Sequence, residues 1–91
     1  MPAYVYILRC ADGCYYYGST NDLVQRLARH RAGGVRSTRL RLPAELVYFE
    51  QCQTLGEARQ REQALKSGRT RRKTIDLLIR QFPADRLAPF A

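Results

Sequence analysis

Hydrophobic positions near the start of the chain come in short, dense runs. Tyr4-Val5-Tyr6-Ile7-Leu8 and Tyr15-Tyr16-Tyr17 are aromatic or branched, with Asp12-Gly13 between them. Asp-Gly between such runs signals a hairpin, so strands are expected over 3–9 and 14–19, with Gly13 in the left-handed turn position. If Cys10 faces Cys14, then Leu8 faces Tyr16 and Tyr6 faces Gly18. Alternation along each strand then puts Tyr6 and Tyr16 on one face as diagonal neighbours. Gly18, with no side chain, leaves open space opposite Tyr6. A slip of one residue would bring up Tyr17 instead.

The period then lengthens. Ser19-Thr20-Asn21-Asp22 supplies capping residues, and Leu23, Val24, Leu27 and Ala28 form the apolar stripe of a helix running to about Arg31. Gly33-Gly34 ends it, and 32–43 reads as a loop closed by Pro43. Residues 45–52 form a third strand whose Leu46-Val47-Tyr48-Phe49 run suggests burial on both faces, with Glu50 a solvent-facing end without chemistry. Thr54 caps the next helix, with Glu57 completing a capping box. Its inward stripe is Leu55, Ala58, Glu62 and Leu65. Gly68 closes it. A last helix starts near Thr70, buries Ile75, Leu78, Ile79 and Phe82, and stops at Pro83; the tail beyond carries no signal.

Charge changes the picture more than size does. Ninety-one residues make one small domain, and 45% hydrophobic content argues against disorder. Sixteen Lys and Arg against eight acids leave a net charge of +8, mostly arginine, which points to a polyanionic partner. Six arginines and no acid lie between Arg26 and Arg41, alongside the hydroxyls of Ser37 and Thr38, as a basic loop that could clamp a phosphate backbone. Arg69, Arg71, Arg72 and Lys73 sit at the start of the last helix, where cations oppose the dipole and phosphate contact would explain them. Cys10, Cys14 and Cys52 show no zinc spacing; a Cys10–Cys14 bridge is sterically open, but reduced thiols are expected. With no signal run and no stretch of membrane-spanning length, the chain reads as soluble and cytoplasmic.

Two positions stand out chemically. Arg26 and His30 are four apart and share a helix face; the plain alternative pairs Asp22 with Arg26 and leaves His30 exposed. Glu62 sits where an apolar residue belongs, so its carboxylate needs a partner, an arginine or a metal ion.

Two tyrosines on a hairpin, an Arg-His pair on the next helix and an inward acid on a later one together resemble the GIY-YIG nuclease superfamily, and most of all its small stand-alone, single-domain members. Tyr4-Val5-Tyr6 stands at the first motif and Tyr16-Tyr17-Gly18 at the second. The match continues through Asn21, Arg26, His30, Leu46-Val47-Tyr48 and Glu57-Ala58…Glu62…Leu65-Lys66. The resemblance implies an α+β fold, a small three-stranded antiparallel sheet flanked by helices, with the nuclease-like domain over 1–82 and a tail over 83–91. It implies a divalent-metal-dependent DNA endonuclease directed by backbone or structure more than by bases. Tyr6, Tyr16, Arg26, His30 and Glu62 would be catalytic: Tyr6 as general base with His30 assisting, Arg26 on the scissile phosphate, and Glu62 holding Mg2+ or Mn2+. The DNA backbone would meet Arg29, Arg36, Thr38, Arg39, Arg41, Arg69, Arg71, Arg72 and Lys73. Two departures stand out: Ser19-Thr20 replaces a lysine that follows the second motif in some members, and Asn21 is the sole asparagine. The competing readings are a non-catalytic nucleic-acid-binding module and a nuclease subunit active only with a larger protein partner.

Overall fold

Gly13 takes φ +82°, the left-handed value that the Asp-Gly turn requires. Cys10 and Cys14 close the turn through their backbones (2.9 Å), and Asp12 Oδ1 accepts from the Cys14 N–H (3.0 Å). The computed structural model describes residues 2–67 and 72–90. Its order is β1 (Ala3–Arg9), β2 (Tyr15–Thr20), α1 (Leu23–Arg31), β3 (Glu45–Cys52), α2 (Leu55–Lys66), α3 (Arg72–Gln81), α4 (Ala84–Leu87) and a 3-10 turn over Ala88–Phe90. The strands form one antiparallel sheet in the order β2-β1-β3. Its β1–β2 register is the expected one, Leu8 opposite Tyr16 and Tyr6 opposite Gly18.

β1 is the central strand and is buried on both sides. Val5 and Ile7 pack with Val47, Tyr48, Leu65 of α2 and Ile75 of α3. Tyr6 and Leu8 pack on the other side with Leu23 and Leu27 of α1, Leu46 and Phe49. Between Ile7, opposite Tyr48, and Leu8, opposite Leu46, the register skips one residue of β3. That irregularity lets four consecutive β3 residues be buried. Thr54 caps α2 by accepting from the Glu57 N–H (3.1 Å), while the Glu57 carboxylate reaches back to the Gln53 N–H (3.2 Å).

Several expectations change. α1 lies on the sheet along the row Leu23–Leu27–His30, so Val24, 66% exposed, and Ala28 face solvent. Glu50 is half-buried: both its oxygens take the Arg61 guanidinium (3.0–3.2 Å), and the Tyr48 hydroxyl donates to it. It is a strut between β3 and α2 rather than a solvated strand end. One expectation does not change: Cys10, Cys14 and Cys52 are free thiols. The uninformative tail also has a place. Leu87 and Phe90 pack on the Tyr6 side of the core, and Arg86 lies over the rings of Phe49 (4.9 Å) and Phe82 (5.0 Å). Gly68 and Thr70, expected to end one helix and begin the next, lie outside the described residues.

Gly18 brings the largest correction. The space opposite Tyr6 is not open, because the Tyr6 ring itself lies in it: a Cβ on Gly18 would overlap Tyr6 Cζ and Oη. Tyr6 is fully buried and has nowhere to retreat. Gly18→Ala is therefore expected to cost about 1–3 kcal/mol through overpacking, read as a lower urea midpoint at unchanged m. Stability equal to wild type would show that the ring moves aside freely.

Candidate active site

The site is assembled from the hairpin, one face of α1 and the loop after it. β1 carries Tyr6 inward, and the helical repeat brings Arg26 and His30 toward it one turn apart. Tyr6 Oη and His30 Nε2 are 2.9 Å apart, and His30 Nδ1 is 2.8 Å from Thr38 Oγ1. All three side chains are buried. Tyr16, half-buried, completes an aromatic corner, its ring centroid 5.0 Å from His30 and 6.3 Å from Tyr6. Four sequence-predicted residues thus converge: Tyr6, Tyr16, Arg26 and His30.

Burial sets their protonation. Loss of water, and then the neighbouring Tyr16, push the Tyr6 phenol well above the ordinary tyrosine range; Arg26 opposes this by charge and hydrogen bonding. Burial, followed by the charges of Arg26 and Arg29, pushes His30 down to about 4. Near neutral pH both groups are uncharged, and Arg26 is the positive charge beside them.

Glu62 stands on α2 next to β2. Its side chain is 14% exposed and has two partners: Ser19 Oγ donates to Oε1 (2.8 Å) and Lys66 Nζ to Oε2 (2.9 Å). The expected partner was an arginine or a metal; the structure supplies a lysine one turn on and a serine. Ser19 follows the second tyrosine motif; it is neither the cap of α1, which is Asp22, nor only a replacement for a lysine, because its hydroxyl orients the acid. The carboxylate is also close enough to act electrostatically on Tyr6. Among the described residues no three His, Cys, Asp or Glu side chains gather as a metal cage. A hard divalent cation nevertheless fits Glu62, because magnesium is commonly held by one carboxylate with water and phosphate oxygens completing its shell. The Lys66 ammonium already marks a place where positive charge is stable against that oxygen.

The basic residues divide. Arg29, Arg36, Arg39 and Lys73 are exposed. Arg72 is exposed but stacks on the Tyr15 ring (4.1 Å) and pairs with Asp76 (3.1 Å). Arg41 is tied to Asp12 (2.9 Å) and to the Ser37 carbonyl. Thr38 is corrected outright: with no exposed surface and its hydroxyl on His30, it cannot also serve as a surface contact for phosphate. Arg69 and Arg71 lie outside the described residues. Sequence reasoning missed Arg59, which helps line a polar cleft of about 270 Å³ with Ser19, Asn21, Gln25 and Arg26. Its only signal in the sequence was its charge.

Residues 2–75 match the GIY-YIG catalytic domain family. A UPF0213 protein of Bacillus pumilus is 43% identical over 86 residues, covering 93% of this chain and 86% of its own. A UPF0213 protein of Desulfotalea psychrophila is 44% identical over 75 residues, covering 79% of this chain and 68% of its own. The solution NMR structure of the UPF0213 protein BH0048 from Bacillus halodurans is 38% identical, with a TM-score of 0.54 over 89% of this chain and 86% of that one.

The buried, neutral His30 makes stability depend on pH in a definite direction. An unfolded histidine takes up a proton near pH 6.5, whereas His30 in the folded chain resists until about 4. Stability should therefore fall as pH drops from about 6.5 to about 4, by up to about 3 kcal/mol from this residue. Urea titrations across that window, repeated on His30→Gln, check it: the variant should show the shallower dependence. Parallel slopes would remove His30 as the source.

Proposed function

The chain belongs to the GIY-YIG catalytic domain family, and from that premise we propose that it is a divalent-metal-dependent endonuclease that hydrolyses phosphodiester bonds of DNA. The observation that carries this reading is the buried Tyr6–His30 hydrogen bond (2.9 Å) with Tyr16 and Arg26 beside it and Glu62 within electrostatic reach. Tyr6, once its own phenol proton has passed to solvent, would take the proton of the attacking water as that oxygen bonds to phosphorus. A phenol in this surrounding needs positive charge to ionise, and Arg26 supplies part of it. Arg26 also faces the phosphate, where charge develops as the bond to the leaving oxygen breaks. Glu62, oriented by Ser19, would hold magnesium or manganese, whose chemistry when bound is to polarise phosphate oxygens. Lys66, whose side chain is half-exposed, can swing away from that carboxylate.

Substrate contact is read as mostly with the backbone. The polar cleft leads from Arg26 to Arg59 and offers a track for phosphates, with Arg29, Arg36, Arg39, Arg72 and Lys73 as outlying cations. Such binding responds to DNA shape more than to base identity. Three free cysteines suit a reducing, cytoplasmic setting, and among the described residues no helix is long and apolar enough to cross a membrane.

Cleavage assays on branched, flapped and linear DNA, with magnesium, manganese or EDTA, test the proposal. Wild type should cut only with the metal, and Glu62→Gln and Arg26→Ala should each lower kcat by about 100-fold or more while leaving the fold intact. Cleavage in EDTA, or cleavage unchanged in Glu62→Gln, would sink the mechanism. Salt-sensitive binding without turnover on any substrate would leave a nucleic-acid-binding module instead. Arg59→Ala should weaken DNA binding and lower the slope of log K against log salt by about 1, measured by fluorescence anisotropy. An unchanged slope would remove Arg59 from the track.

A further inference from the structure

α3 is tied to the start of β2 by three side chains. The Tyr15 hydroxyl donates to Asp76 Oδ1 (2.8 Å), Arg72 Nε donates to the same oxygen (3.1 Å), and the Arg72 guanidinium lies over the Tyr15 ring (4.1 Å). One cation answers one anion in this tie, so its charges already balance.

Two further arginines nevertheless face the same place. Arg9, opposite Tyr15 in the β1–β2 register, holds its guanidinium 6.0 Å from that ring. Arg80 follows Arg72 two turns along α3 and acts electrostatically on Asp76. Arg9, Tyr15, Asp76, Ile79 and Arg80 line one polar cleft of about 330 Å³. Both arginines are exposed and without an ion pair among the described residues; Glu45, opposite Arg9 on β3, is exposed as well and does not pair with it. The α3 dipole favours a cation such as Arg80 in the last turn, but it does not account for Arg9, which comes from a strand.

The place of this cleft in the fold gives it a ligand. β2 is an edge strand, and among the described residues no strand pairs with its outer side. Tyr15 begins β2, whereas Ser19 and Thr20 at its other end line the cleft that holds Arg26 and Arg59. At the rise of an extended strand the two clefts lie about 15 Å apart. One DNA strand advances that far in about four or five nucleotides.

We propose that Arg9 and Arg80, set around the Tyr15–Asp76–Arg72 tie, form a second phosphate site, and that a DNA backbone runs along the β2 edge from the Arg26–Arg59 cleft to this one. The second site needs only a polyanion; the course of the backbone away from the cut rests on the nuclease reading above. Two guanidinium forks brought from separate elements to one open cleft suit the paired free oxygens of a phosphodiester.

Fluorescence anisotropy with a linear duplex long enough to span both clefts tests the site. The Arg9→Gln, Arg80→Gln double variant should lower the slope of log K against log salt by about 2, and adding Arg59→Ala should lower it by about 1 more. An unchanged slope in the double variant, even with weaker binding at every salt concentration, overturns the site, because only the long-range field has then been reduced. In labelled wild type the Arg9 and Arg80 Nε–H signals should shift as the same duplex is added; signals unmoved at saturation overturn the site without recourse to any variant. Where wild type cuts, a single neutral methylphosphonate stepped outward from the cut should raise KM at about four or five nucleotides, and the double variant should be indifferent to it. No rise in wild type, or an equal rise in the double variant, overturns the course along β2. If wild type cuts no DNA, the nuclease reading falls, while a slope lowered by about 2 still upholds the second phosphate site.

Discussion

The hydrogen-bonding demand of the Tyr6 hydroxyl organises the site. Tyr6 lies on the central strand with its ring filling the space above Gly18, and it has no exposed surface. A phenol in that position must find a partner inside the protein, because an unpaired buried hydroxyl is costly. His30 answers it, and this explains why a histidine takes the third position of the α1 row begun by Leu23 and Leu27. The imidazole then has its own second nitrogen to satisfy, and Thr38 does so from the loop. The loop in its turn is fixed by Arg41 on Asp12, which returns the chain of constraints to the hairpin where it began. A strand, a helix and a loop are coupled through these three contacts, of which the two made by His30 are buried and the Arg41–Asp12 pair is exposed.

The same burial determines the electrostatic state of the site. Desolvation raises tyrosine and lowers histidine, so both groups move toward their neutral forms. Charge is left to residues that water can still reach: half-buried Arg26 on one side, and the Glu62–Lys66 pair on the other. A resting site of this kind has no buried unpaired ion among the described residues, and the proposed reaction would bring it an anion and a cation. In that reading a phosphate would add charge next to Arg26, and a divalent ion would compete with the Lys66 ammonium, whose side chain is half in water. Exchange of partners at Glu62 is cheap in a way that it would not be for a deeply buried pair.

Periodic parts of the molecule were legible in the sequence, and so was the register that opposes Tyr6 to Gly18. The Asp-Gly turn fixes the hairpin, and a one-residue error would have exposed the whole apolar set of β1. Arg26 and His30 followed from helical spacing. What stayed hidden was the partner of each polar group. Thr38 lies in a segment without period, and its tie to His30 depends on how residues 33–41 fold back. Glu50 looked like a solvated strand end because a sequence does not show that Arg61 of α2 crosses to it. Ser19 faced Glu62 across 43 residues of chain. The tail beyond Pro83 is too short to show a period, although Phe90 packs 5.3 Å from Phe49.

Arginine count was the least faithful guide, for a reason that bears on substrate binding. Of the six arginines between Arg26 and Arg41, Arg41 is a strut to Asp12 and Arg31 donates to the Phe90 carbonyl. Arg26 is turned toward Tyr6. That leaves Arg29, Arg36 and Arg39 exposed and without an ion pair among the described residues, fewer cations than the run suggests. Structural arginines keep their charge, so they still add to the long-range field that draws in a polyanion. They release no condensed counterions by direct contact, however, and a salt slope counts only those that do. A protein of this charge can therefore attract DNA strongly and still grip it at few phosphates. That combination suits the proposed nuclease, whose chemistry would take place in a small buried corner and whose product would have to leave.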